Sequence, residues 1–251
     1  MAQVAPPCYC IRRPTSKIFP MTRIVRIRPP PRFSIGPAFR YNVRIDTDFG
    51  ASMNILQPPL KIVQYPHPAL RHAAKPCTAI DDPKRHAAAA MLDLMYEQNG
   101  LGLAAPQVGL PFQMFVVNYS GDPAEKEFEG VYINPVILEK EGTMEGDEGC
   151  LSFPKLFRKV RRARTVRVQA YSLEGHLVEL ELSELPARLW QHEVDHLHGT
   201  LFIDKLGAIG QLAARSALRE FEHEYKRAQR KGEIPLDPEI EKRLDELEEM
   251  A

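Results

Sequence analysis

The sequence lacks the marks of a membrane or secreted protein. No run of eighteen apolar residues occurs and no apolar signal-peptide core is present, so neither a membrane partner nor a secreted scaffold is expected. Cysteine is scarce. Cys8, Cys10, Cys77 and Cys150 show no disulfide-framework spacing, which points to a reducing compartment where a working cysteine acts as a thiolate. Net charge is absent too. Lys plus Arg number 33 and Asp plus Glu number 33, so the chain as a whole gives no expectation of DNA binding. The balance hides an asymmetry. Residues 1–44 hold nine Lys or Arg and no acid, whereas residues 233–251 hold eight acids against Lys242 and Arg243.

What is there is enough for one core with tails: 251 residues, 44% of them apolar. Residues 1–55 form a basic arm rich in Pro and Arg. Pro6, Pro7, Pro14, Pro20, Pro29, Pro30, Pro31 and Pro37 exclude helices and central strands there. Three readings of the arm stand open: a disordered segment, an organelle transit peptide, or a start codon assigned too far upstream, since Met53 precedes the first domain-like sequence. A bacterial protein would be cytoplasmic, and a transit peptide would send it to a mitochondrion or plastid. The catalytic domain is expected over residues 56–232, with 233–251 as an acidic tail, a frayed or solvated helix.

Within the domain, residues 81–100 read as a helix capped by Asp81 or Asp82 and stopped by Gly100. Strands are expected over 113–119 and 130–138, and a hairpin over 165–183 turning at Glu174 and Gly175. Further helices are expected over 184–198 and 208–231. Strands clustered between helices predict an α+β domain, with antiparallel or mixed strands packed around the histidine-bearing helix and a C-terminal helix.

That helix carries WQHEVDHLHG, residues 190–199. His192 and His196 are four apart, so their side chains leave one helix face about 5–6 Å apart, close enough to share a metal. Glu193 lies beside that face, where a carboxylate reaches a metal-bound water without being a ligand. His198 and Asp195 point elsewhere. Leu185, Leu189, Trp190, Val194 and Leu197 predict a buried helix, and buried histidines need partners. A third ligand must come from outside the segment. Phe202 stands where a metzincin-type protease places a histidine. Glu220, Glu222 and Glu224 suit a thermolysin-like arrangement by spacing but lie on a charged face. Cys150, in an irregular stretch flanked by strands over 145–154, is the better donor.

Three segments together resemble the motifs of the peptide deformylase family, in the family's order: GLGLAAPQVGL (100–110), EGCLS (148–152) and QHEVDHLHG (191–199). LKIVQYPHPALR (60–71) and GTLFIDKL (199–206) resemble further family segments. The resemblance implies that Cys150, His192 and His196 hold one divalent metal, Fe(II) by family habit and Zn(II) or Ni(II) as purified, with a fourth position open to water. It implies Glu193 as general base and acid, and the Gln107 amide and Leu151 N–H as oxyanion donors. The substrate would be the formyl-methionine terminus of a nascent polypeptide, with Gly100 and Gly102 admitting its backbone and Leu101 and Leu189 lining a methionine pocket. Glu148 is expected beside the ligands, paired with Arg162. Phe157 stands where many members carry a basic residue that contacts the peptide; Arg158 and the basic run to Arg164 offer a substitute. Basic residues on the last helix suggest the ribosome as a partner.

Overall fold

The computed structural model of the protein describes residues 23–28 and 60–249. Helix α1 (Asp82–Glu97) begins where the Asp81 carboxylate accepts the Lys84 N–H at 3.0 Å, and Pro83 fits its first turn. Ala87, Ala88, Met91 and Met95 form its buried stripe. Its end differs from expectation. Asn99, at φ 55°, takes the left-handed position assigned to Gly100, a role Asn fills because its short polar side chain tolerates that region.

Six strands form an antiparallel sheet in the order β1-β8-β7-β4-β3-β2. These are β1 (Arg23–Arg28), β2 (Gly102–Ala104), β3 (Met114–Asn118), β4 (Glu129–Glu141), β7 (Thr165–Tyr171) and β8 (Leu177–Ser183). The β7–β8 hairpin turns at Gly175, φ 80°, as the sequence predicts. A separate two-stranded hairpin, β5 (Met144–Cys150) and β6 (Phe153–Arg162), carries the cysteine. The stretch read as irregular is therefore the tip of a hairpin, with Cys150 opposite Phe153.

Helix α2 (Glu184–Leu197) covers the sheet. Leu189, Trp190, Val194 and Leu197 pack against Phe115, Val117, Val166, Val168, Leu180 and Leu182. Each such side chain contributes about 1.5–3 kcal/mol when fully buried. The Trp190 indole donates to the Tyr119 hydroxyl at 2.9 Å, so the one buried polar atom of that ring is satisfied. Helix α3 (Ala208–Arg230) follows. Among the described residues, no helix is long and apolar enough to cross a membrane.

Two expectations about the ends change. Part of the arm is ordered against the domain: β1 pairs with β8 at the sheet edge, placing Arg23 opposite Glu181 and Arg26 opposite Glu179. An edge position is the one that proline-flanked sequence can occupy. The rest of residues 1–59 lies outside the described residues. The tail is not a solvated helix. Helix α4 (Asp237–Glu248) buries Ile240, Leu244 and Leu247, because their spacing of four and three makes one apolar stripe on an otherwise acidic helix.

Candidate active site

Three elements meet at one point. Helix α2 presents His192 and His196, the tip of the β5–β6 hairpin presents Cys150, and a tight helical turn over residues 105–108 presents Gln107. The ligand atoms of Cys150, His192 and His196 all lie within 4.8 Å of one another, and all three residues are buried. His196 Nε2 faces the Cys150 sulfur at 3.2 Å. His192 turns Nδ1 to the Glu148 carboxylate at 3.2 Å, which leaves Nε2 toward the other donors. Burial disfavours a charged His192, yet the Cys150 sulfur and the Glu148 carboxylate outweigh it and draw a proton onto the ring. A cation held between the three donors satisfies the same attraction. His196 is pushed the other way: burial, with His192 adding to it, keeps the ring neutral. The donor set of one sulfur and two imidazoles suits a borderline divalent metal.

Glu148 is fully buried and must be neutralised. Burial alone would raise its pKa. Hydrogen bonds from His192 and Arg162 prevail and hold the carboxyl well below the usual range. Arg162 donates through Nε and Nη2 at 2.9 Å each, so the expected pairing is present as a bidentate fork. Arg188 donates to the same carboxylate at 2.7 Å and to the Val160 carbonyl at 2.9 Å. Asp195 closes the network by pairing with Arg162. Sequence reasoning left Arg188 without a role. The signal was present, since Arg188 lies four residues before His192 on the same helix face.

Glu193 differs from every other acid here. It is almost wholly buried, and its Oε2 has no hydrogen-bond partner among the described residues. Burial pushes its pKa up to about 7, with nearby His192 opposing the shift. A base poised near neutrality is suited to taking and returning a proton. Gly102 makes room for it: a Cβ there would sit 2.4 Å from Glu193 Oε1 and 3.0 Å from Leu189 Cδ1.

The remaining predicted residues fall around this point. Gln107 Oε1 accepts the Ala104 N–H at 2.8 Å, which aims Nε2 toward the Cys150 sulfur at 3.3 Å and the Ser152 hydroxyl at 3.4 Å. Ser152 was not anticipated. Leu151 follows Cys150 in the hairpin turn, and a Cβ on Gly100 would meet its side chain at 2.9 Å. Leu101 and Leu189 are buried in the core beneath the sheet, so neither side chain stands at an open surface. β2 is the terminal strand of the sheet. His198 bonds the Val194 carbonyl at 2.8 Å, away from the centre. Glu222 accepts from the Tyr65 hydroxyl at 3.2 Å, and neither it nor Glu220 or Glu224 joins the metal-ligand cluster. The Phe157 ring fills the space above Gly149, where a Cβ would approach it to 2.5 Å. Arg158 donates to the Phe157 carbonyl at 2.7 Å and the Ala213 carbonyl at 2.6 Å, which ties it to α3.

A structural metal site closes its coordination with four protein donors. Among the described residues three converge, and a buried carboxylate whose Oε2 has no partner there stands beside them, which makes the centre that of a metallohydrolase. A profile described as polypeptide deformylase matches residues 59–211, and the chain belongs to that family. A peptide deformylase of Rhodopirellula baltica is 41% identical over 192 residues, 76% of this chain and 95% of its own. The Arabidopsis thaliana protein named peptide deformylase 1B, chloroplastic/mitochondrial, is 40% identical over 186 residues, 74% of this chain and 67% of its own. The crystal structure of a plant peptide deformylase PDF1B superposes with a TM-score of 0.67 at 40% identity, covering 71% of this chain and 96% of that one.

Proposed function

We propose that Cys150, His192 and His196 hold one divalent metal, and that Glu193 moves the proton as the chain removes the N-terminal formyl group from nascent polypeptides. The observation that carries this reading is the unpartnered, buried Glu193 carboxylate beside three convergent donors. A metal bound there supplies Lewis-acid chemistry, acidifying water and polarising a carbonyl. Glu193 receives the proton of the attacking water and returns it to the leaving amine. Gln107 Nε2, fixed through Oε1, and the Leu151 N–H donate to the oxyanion that forms at the formyl carbon. Glu148 orients His192, and Arg162 and Arg188 hold Glu148. β2, the terminal strand of the sheet among the described residues, offers main-chain pairing along its outer edge to an extended peptide that ends near Glu193. Gly102 admits the carboxylate, and Leu189 and Leu101 form the apolar wall behind it.

The metal is Fe(II) in this reading, with Zn(II) and Ni(II) as substitutes. The activity fits a bacterium or an organelle. Arg215, Arg219, Lys226, Arg227, Arg230 and Lys231 on α3 are the candidate ribosomal contact, tested by co-sedimentation across a salt series. The reading predicts formate release from a formyl-Met peptide by anaerobically loaded protein, lost on chelation and restored by Fe(II). Cleavage of an unformylated internal bond without formate release would point to a protease instead.

A further inference from the structure

Residues 63–75 touch all three motif segments through main-chain acceptors. The Val63 N–H donates to the Gln107 carbonyl at 2.8 Å, and the Tyr65 N–H to the Ser152 carbonyl at 3.0 Å. The Ala74 N–H donates to the Leu197 carbonyl at the end of α2 at 2.9 Å, and the Arg71 guanidinium to the Gly199 carbonyl at 3.2 Å. Side chains reinforce the strap. The Tyr65 ring stacks on Phe153 at 5.1 Å, and Leu70 is buried in the cluster that contains Cys150 and Phe153. One segment therefore fastens the Gln107 turn, the hairpin tip after Cys150 and the end of the histidine helix. None of its residues belongs to the Cys150–His192–His196 cluster.

Helix α4 grips this strap from outside. Ile240 and Leu244 bury against Ala69, with Val63 packed at the margin. The Glu248 carboxylate bonds His72 Nε2 at 2.6 Å and reaches Lys75 Nζ at 3.5 Å. At the other end of α4, Asp237 accepts from the Tyr225 hydroxyl at 2.7 Å and from Gln229 at 2.8 Å, which anchors it to α3. The His67 ring meets Tyr225 edge-on at 6.2 Å. The grip is apolar at its centre and charged at its rim.

We propose that α4 is a positioning element for the deformylase reaction: docked on the strap, it holds Gln107 and the Leu151 turn where they meet the oxyanion, with Leu244 as its central contact. This rests on the assignment of Gln107 and Leu151 as oxyanion donors. An effect through positioning acts on the transition state more than on ground-state binding, so kcat moves and KM does not.

The test compares full-length, metal-loaded wild type with Leu244→Asp, which places a charge in the grip, and Leu244→Met, which preserves it. Formate release gives kcat and KM, metal per chain is measured, and amide exchange is followed at residues 63 and 65. For Leu244→Asp, kcat falls roughly tenfold with KM and metal content retained, and exchange at both amides quickens about tenfold. Leu244→Met behaves as wild type. Glu248→Gln loosens only the rim and carries the same split at about threefold, which keeps the test alive if Leu244→Asp does not fold. Quickened exchange with unchanged kcat overturns the proposal, as does unchanged exchange in a variant whose α4 has come away. Wild type that releases no formate sinks the activity assignment instead, and the exchange data still decide whether α4 holds the strap.

Discussion

Replacing Gly102 with alanine tests the packing of the general base in the smallest possible step. The added Cβ would lie 2.4 Å from Glu193 Oε1 and 3.0 Å from Leu189 Cδ1. Ordinary contact begins near 3.4 Å, so the carboxylate must retreat by about 1.0 Å (3.4 − 2.4), and Leu189 blocks the methyl from yielding instead. Overpacking of this kind costs roughly 1–3 kcal/mol of stability, which leaves the fold in place. A base displaced by about 1 Å costs on the order of 10²-fold in rate. The assay is formate release from a formyl-Met peptide, with metal content and thermal melting measured on the same preparation. The expected result is kcat reduced about 100-fold, KM changed little and metal retained. A rise in KM with kcat intact would mean that Gly102 serves the substrate backbone instead. A variant with wild-type kcat and KM refutes the argument, because it would show that Glu193 tolerates the displacement.

Two further predictions separate buried from exposed charges. Arg188→Met leaves the buried Glu148 with only part of its compensation and should lower stability by about 3–5 kcal/mol, with metal affinity down roughly 10–100-fold as His192 loses its anchor. Arg164→Met removes a pair with Glu184 whose partners are 55% and 41% exposed, and should cost less than about 1 kcal/mol in a urea melt. Equal losses in the two variants would contradict the assigned role of Arg188. A pH prediction follows from His67, whose pKa burial lowers from 6.5 to about 4, against the opposing charge of Asp237. Its Nδ1 accepts the Ala69 N–H at 3.2 Å, which requires the neutral ring. Between these pKa values the unfolded chain binds more protons, so this contribution is complete above pH 6.5 and is lost as pH falls toward 4. It amounts to about 3 kcal/mol at most. His67→Asn keeps an acceptor and should flatten the acid limb of the stability curve; an unchanged limb would refute the assignment.

Much of the centre was legible because it is local. His192, Glu193 and His196 lie within one helical turn, and the apolar residues around them announce burial. Cys150 was not fixed by spacing. Its carrier is a hairpin brought to the helix by the fold; thiolate chemistry made it the better donor, and the resemblance supported that choice. Arg162 was anticipated opposite Glu148, but its pairing with Asp195 joins a hairpin to a helix and has no local signature. Helix α4 was misread because eight acids in residues 233–251 dominate a stretch whose apolar stripe is only three residues. β1 was missed for a similar reason: prolines flank six strand-forming residues whose partner, β8, lies some 150 positions on in sequence. The apolar character of Leu101 and Leu189 was legible and both are buried in one core cluster; their expected place in a methionine pocket came from the resemblance.

The most direct measurement concerns Glu193 itself. Wild type and Glu193→Gln are loaded with Fe(II) under argon, and formate release and metal per chain are determined together. Gln fills the same buried space without a titratable proton. The account predicts one metal per chain in both proteins and a loss of kcat of roughly 10²–10⁴-fold in the variant. Near-wild-type formate release from Glu193→Gln, with metal bound, would contradict it.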